Sequence, residues 1–147
     1  MNASLRHHHT ALHVADLQRS SEFYVEGLGL TPVDQWQSGE YIGELFGRPG
    51  VGVTALLLAT RDLAFRLELV QVDAAPPSVD PSTAAPGTAH VAFTVPDVSS
   101  LFTQMMERGY SSLSDPVVPS SGPNAGGMLV YLLDPDGNRV ELIQEIE

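Results

Sequence analysis

Two histidines and two glutamates stand at matching places in two similar halves of this 147-residue chain. The first half opens on His9-Thr-Ala-Leu-His-Val-Ala-Asp16 and closes on Leu67-Glu68-Leu-Val-Gln71. The second opens on His90-Val-Ala-Phe-Thr-Val-Pro-Asp97 and closes on Val140-Glu141-Leu-Ile-Gln144. The His-to-Asp spacing is seven residues in both halves; His9 precedes Glu68 by 59 residues and His90 precedes Glu141 by 51. Imidazole and carboxylate groups are costly to bury without partners. Repeated inside apolar strands, they have the form of a duplicated metal site, because both are ligands for first-row divalent ions. The chain has no cysteine, so disulfides, thiolate catalysis and cysteine-based zinc sites are excluded.

Composition narrows the partners. A formal charge of −11, with 7 basic residues against 18 acidic ones, leaves no basic patch for a nucleic-acid backbone. The same balance disfavours an anionic membrane surface, so a small molecule is the expected partner. The first ten residues, MNASLRHHHT, lack the apolar core of a signal peptide. The longest apolar stretch, residues 53–59, is too short to span a bilayer, so a cytoplasmic location is expected. The run His7-His8-His9 leads into a strand pattern with no linker and reads as native sequence rather than a tag remnant.

The elements that must position these groups repeat as well. His9 opens a strand with Leu12 and Val14 on one face and His9, Ala11 and His13 on the other. Asp16 is placed to cap a helix over residues 17–26, with Gly27 as its terminating residue. A strand over 31–36, a glycine-rich loop over 39–52 and strands over 53–59 and 64–72 complete module one, residues 7–72. Residues 73–88, rich in Pro and Ala, are the predicted linker. In module two, residues 89–147, a strand over 90–95 precedes a helix capped by Asp97. Its apolar stripe is Val98, Leu101, Phe102, Met105 and Met106, and Gly109 ends it. A strand over 111–118, a loop over 119–127 and a hairpin follow, its strands 128–133 and 139–146 joined across Asp134-Pro-Asp-Gly-Asn138.

Each half thus reads as β-α-β-β-β within one domain spanning 1–147. Leu12/Val14, Phe65/Leu67/Leu69, Val91/Phe93/Val95 and Val140/Leu142 form an apolar set suited to packing on helices. His9/His13, Arg66/Glu68, His90/Thr94 and Arg139/Glu141 form the opposite set. Four polar rows facing water would be the plain alternative, but identical residue types at identical offsets favour a shared task.

These residues, together with Phe23-Tyr24-Val-Glu-Gly-Leu-Gly29-Leu and Tyr131-Leu-Leu-Asp-Pro-Asp-Gly137-Asn, resemble the vicinal oxygen chelate superfamily over nearly the whole chain. That superfamily includes glyoxalase I, methylmalonyl-CoA epimerase, extradiol dioxygenases and fosfomycin or bleomycin resistance proteins. The resemblance implies an α+β fold in which two tandem βαβββ modules form a cupped mixed sheet around a divalent metal. It places the four metal ligands on His9, Glu68, His90 and Glu141. It also implies a C2 homodimer.

Three chemistries follow from the resemblance. The His-Glu-His-Glu set matches glyoxalase I-like enzymes, lyases or isomerases in which a metal stabilises an enediolate and a ligand carboxylate, here Glu141 or Glu68, shuttles the proton. Bacterial glyoxalase I enzymes carry an arginine for the glutathione carboxylates where this chain has His13, which leaves the thiol open. The epimerase usually has Gln at the Glu68 position and an acid on the strand that here reads Val53-Thr-Ala55. An Fe(II) extradiol dioxygenase would use His9, His90 and Glu141, with His13 as the remaining pocket base. A drug-binding resistance protein would suit the acidic charge but usually lacks the ligands. Arg66 and Arg139, two residues before each Glu, and His13 are candidates to hold substrate; Trp36, Tyr41 and Phe46 flank the first loop. The donor set accepts Zn, Ni, Co, Mn or Fe. The expected function is that of a divalent-metal-dependent, glyoxalase I-like lyase or isomerase.

Overall fold

The computed structural model describes residues 4–146. They form two compact units, Met1–Pro76 and Pro77–Glu147, and the boundary falls inside the predicted linker. The first unit runs β1 (Thr10–His13), α1 (Leu17–Ser21), a π-helical turn (Glu22–Gly27), β2 (Thr31–Ser38), α2 (Glu40–Leu45), β3 (Val53–Ala59) and β4 (Arg66–Val72). The second runs β5 (His90–Thr94), α3 (Val98–Glu107), β6 (Ser111–Ser112), β7 (Met128–Leu133) and β8 (Arg139–Gln144). Each unit holds one four-stranded mixed sheet, ordered β1-β4-β3-β2 in the first and β5-β8-β7-β6 in the second. In both, the first strand lies parallel to the last and the other pairings are antiparallel. The fold is α+β, as the repeat pattern implies.

A parallel pair needs a crossover, and the helix after the first strand begins it. Its start is fixed twice in each unit. Asp16 accepts from the Arg19 N–H at 3.1 Å, and Gln71 Oε1 accepts from the Leu17 N–H at 2.8 Å. Asp97 accepts from the Ser100 N–H at 2.9 Å, and Gln144 Oε1 accepts from the Val98 N–H at 3.0 Å. The first four N–H groups of a helix lack partners within it, and these side chains supply two of them. The glutamine that closes each Glu-Leu-x-Gln run therefore ties the last strand to the helix. Lying three residues after the glutamate, it points to the opposite face.

Apolar alternation sets the core. Phe23, Tyr24, Leu58, Leu67 and Leu69 are fully buried in the first unit, and Val98, Met105, Leu132 and Val140 in the second. Of the predicted α3 stripe, Val98 and Met105 are buried and Leu101, Phe102 and Met106 half-buried. The first unit has a second apolar cluster: Val53, Ala55 and Val70 are buried, with Trp36, Ile42 and Val72 packed against them. The register joins Ala55 to Val70 and Leu57 to Glu68, so this cluster continues the face that carries Glu68.

Several expectations need correction. The first helix does not run regularly over 17–26 and Gly27 does not end it. The chain widens into a π turn, the Leu28 N–H reaches the Phe23 carbonyl at 3.0 Å, and Gly29 takes the positive φ of +79°. A wider turn reduces the angular step between successive side chains, which lets the neighbours Phe23 and Tyr24 both turn inward. The glycine-rich stretch 39–52 contains α2, because Ile42 has an apolar cluster to pack on. The strand expected over 111–118 keeps only Ser111–Ser112 and an isolated bridge from Val117 to Leu129, since Pro116 cannot donate to the ladder. β2 continues to Ser38 with a register shift between Pro32 and Asp34, β4 starts at Arg66, and β8 ends at Gln144. Within the linker, Pro81–Thr83 form a 3-10 turn capped by Asp80.

The β7–β8 turn is held by a buried carboxylate. Asp134, 4% exposed, accepts from the N–H groups of Asp136 and Asn138 and from the Asn138 side chain at 2.8–3.0 Å. Removing it leaves three donors without that partner. Asp134→Ala is expected to destabilise the protein by about 2 kcal/mol in a urea melt. A change within about 0.5 kcal/mol, the range of ordinary surface substitutions, would show the turn to be held by other means.

Candidate functional site

The parallel strand pair places the candidate ligands. In the first unit Ala11 pairs with Glu68, and in the second Ala92 pairs with Glu141. Each histidine lies two residues before the paired alanine, on the same face of the sheet. The geometry is duplicated: His9 Nε2 is 3.0 Å from Glu68 Oε2, and His90 Nε2 is 3.3 Å from Glu141 Oε2. Side-chain exposure is duplicated too, at 35% and 15% in the first pair and 38% and 15% in the second. The glutamates are thus largely shielded while one edge of each pair stays open to solvent.

The structure brings the four candidates together as two pairs; among the described residues no three His, Asp or Glu side chains gather into a metal-holding group. The donor chemistry fits a divalent ion. Two neutral imidazoles and two carboxylates balance its charge, and each pair presents one nitrogen and one oxygen within hydrogen-bonding distance. The three consecutive N-terminal histidines are distinguished by their contacts. His9 reaches Glu68, with its Nδ1 at 2.7 Å from His8 Nδ1. His7 stacks on Phe65 at 5.9 Å and bonds Thr10 Oγ1.

The candidate substrate residues have different surroundings. His13 pairs with Val70 on the Glu68 face and meets Phe46 edge-on at 5.9 Å, just after α2. Arg66 lines a cavity of about 460 Å³ together with Arg6, His7, His8, Leu63 and Ala64. Arg139 is instead engaged by the segment leading into β5. Its Nε donates to the Pro81 carbonyl at 3.2 Å, and its guanidinium lies 5.8 Å from the Tyr131 ring centre. Trp36 packs into the apolar cluster, the core role, whereas Tyr41 is exposed.

Two features went unread in the sequence. One is α2, whose Ile42 makes part of the Glu68 face apolar. The other is Tyr131. It pairs with Glu141 across β7 and β8, and its ring meets His90 edge-on at 5.3 Å. Burial, with the Glu141 charge beside it, holds its phenol above the ordinary tyrosine value, and Arg139 opposes them. Strand alternation back from Leu132 carried the signal, since it puts Tyr131 on the polar-row side of β7.

Comparison with known proteins agrees with this architecture. The model of the glyoxalase/bleomycin resistance protein/dioxygenase superfamily matches residues 6–142. A probable lactoylglutathione lyase from Synechocystis is 26% identical over 140 residues, covering 92% of both chains. A lactoylglutathione lyase from Escherichia coli O157:H7 is 28% identical over 139 residues, covering 93% of this chain and 90% of that one. A glyoxalase family protein from Bacillus cereus has a TM-score of 0.84 at 26% identity, covering 99% of this chain and 97% of that one. The trypanothione-dependent glyoxalase I of Leishmania major has a TM-score of 0.68 at 25% identity, covering 97% and 88%. With a family model spanning nearly its full length and the module present twice, the chain belongs to the glyoxalase/bleomycin resistance protein/dioxygenase superfamily.

Proposed function

We propose that the protein is a divalent-metal-dependent lyase or isomerase of the glyoxalase I-like type acting on a small molecule. The observation that carries this reading is the pair of His–Glu contacts, His9–Glu68 and His90–Glu141, at the same register in both modules. His9, Glu68, His90 and Glu141 are the proposed ligands, four per chain and hence one metal per chain. The relatives named as lactoylglutathione lyases support the reaction type.

A bound divalent ion supplies Lewis-acid polarisation of substrate oxygens. The remaining work belongs to the side chains. A carboxylate, Glu141 or Glu68, takes a proton from the carbon beside a carbonyl and returns it to the neighbouring carbon. Their low exposure keeps bulk water away from that proton. The apolar cluster around Ile42 and Trp36 offers a dry wall on the Glu68 face. Arg66, with Arg6 beside it in the same cavity, offers positive charge for an anionic substrate group. His13 stands near Phe46, and its identity leaves the thiol open; the trypanothione-dependent relative is a reason to screen several.

The test combines metal analysis of untagged protein with a hemithioacetal isomerisation screen across several thiols. The parent is expected to carry one equivalent of divalent metal and to turn over at least one hemithioacetal. Glu141→Gln is expected to keep much of the metal and lose ~10²–10⁴-fold in turnover, because an amide cannot accept the proton. His90→Ala is expected to lose metal and activity together. A Glu141→Gln protein with metal and full activity would move the base to another residue, and a metal-free, inactive parent would end the reading.

The proposed assembly is a C2 homodimer, in which the two His–Glu pairs of one site come from one chain or from two copies. Light scattering at micromolar concentration is expected to give about 31 kDa, twice the 15.7 kDa chain. A monomer would remove the shared-site arrangement.

A further inference from the structure

The two modules repeat their histidine, their glutamate, their exposure and the distance between the pair. They differ in what stands across the sheet from the glutamate. Register places Leu57 opposite Glu68 in the first module and Tyr131 opposite Glu141 in the second. The methyl groups of Leu57 can donate nothing. Tyr131 carries a phenol: the residue lies opposite Glu141 in the strand pair, its ring meets the His90 ring edge-on at 5.3 Å, and the Arg139 guanidinium is 5.8 Å from the ring centre. Arg139 is itself anchored to the Pro81 carbonyl and to Thr88 Oγ1, so the tyrosine ring is fixed on that side by a restrained neighbour.

An ionised carboxylate is an acceptor only, with about four lone-pair positions on its two oxygens. A hydrogen bond from a fixed phenol occupies one of them and sets the rotation of the carboxylate plane. Groups of this kind, one step removed from the metal, orient the ligand and tune its affinity.

We infer that Tyr131 is a positioning residue for the proposed metal centre: its O–H donates to Glu141 and fixes how that carboxylate faces a bound ion, a restraint that Leu57 cannot provide to Glu68. The two carboxylates are then unequal by design of the sequence. Glu141 is the ligand with this further restraint, and Glu68 has a leucine in the corresponding place. The inference rests on the metal-centre reading above.

The experiment measures zinc dissociation constants by competition with a chromogenic chelator for the parent, Tyr131→Phe and Leu57→Phe. Cobalt(II) absorption spectra and melting temperatures of the metal-free proteins accompany them. Tyr131→Phe removes only the hydroxyl. Its zinc affinity is expected to fall about 10-fold, with a changed cobalt spectrum and a metal-free melting temperature equal to the parent's. Leu57→Phe is expected to leave zinc affinity and the cobalt spectrum unchanged. A parent that binds no zinc would overturn the metal reading and this inference with it. A zinc-binding parent matched within two-fold by Tyr131→Phe would overturn the inference alone. Equal losses in Tyr131→Phe and Leu57→Phe would do the same, because the effect would then be packing rather than the phenol.

Discussion

The parallel pairing of the first and last strands of each module is the constraint on which the rest depends. It sets a carboxylate and an imidazole side by side on one face, at 3.0 Å in one module and 3.3 Å in the other. The opposite faces of β4 and β8 are the core itself: Leu67, Leu69, Val140 and Leu142 are buried there. A one-residue slip would exchange the two faces, burying the glutamates in the core and exposing the leucines. The hydrophobic effect therefore enforces the register that positions the polar pair. The helix start is bound to the same strands through Gln71 and Gln144, so the register, the crossover and the pair form one unit.

On that common frame the modules diverge. The first adds α2 and an apolar cluster to its glutamate face, and the second adds Tyr131 and an anchored Arg139. The two halves of the proposed centre thus differ in what stands beside the glutamate, Leu57 in one and Tyr131 in the other.

Much of this was legible in the sequence because two periodicities repeat. The Asp16 and Asp97 caps, the tight turn at Asp134–Asn138 and both strand faces follow from residue type and spacing alone. What was not legible depended on packing. The π turn exists because Phe23 and Tyr24 must both point inward, and no local propensity announces that. Glycines concealed α2, whose helix is secured by Ile42 meeting a cluster distant in sequence. Strand alternation gives the face of Tyr131, but its neighbour Glu141 is set by the β7–β8 pairing. Arg66 and Arg139 look equivalent in the repeat; the anchoring of Arg139 to Pro81 separates them.

The central claim is that the duplicated His–Glu pairs ligate one divalent ion. X-ray absorption at the metal edge of zinc-loaded protein tests it most directly. The account predicts two imidazole nitrogens and carboxylate oxygens at about 2.0–2.2 Å from zinc. One imidazole or none, with a shell made mainly of water, would contradict it.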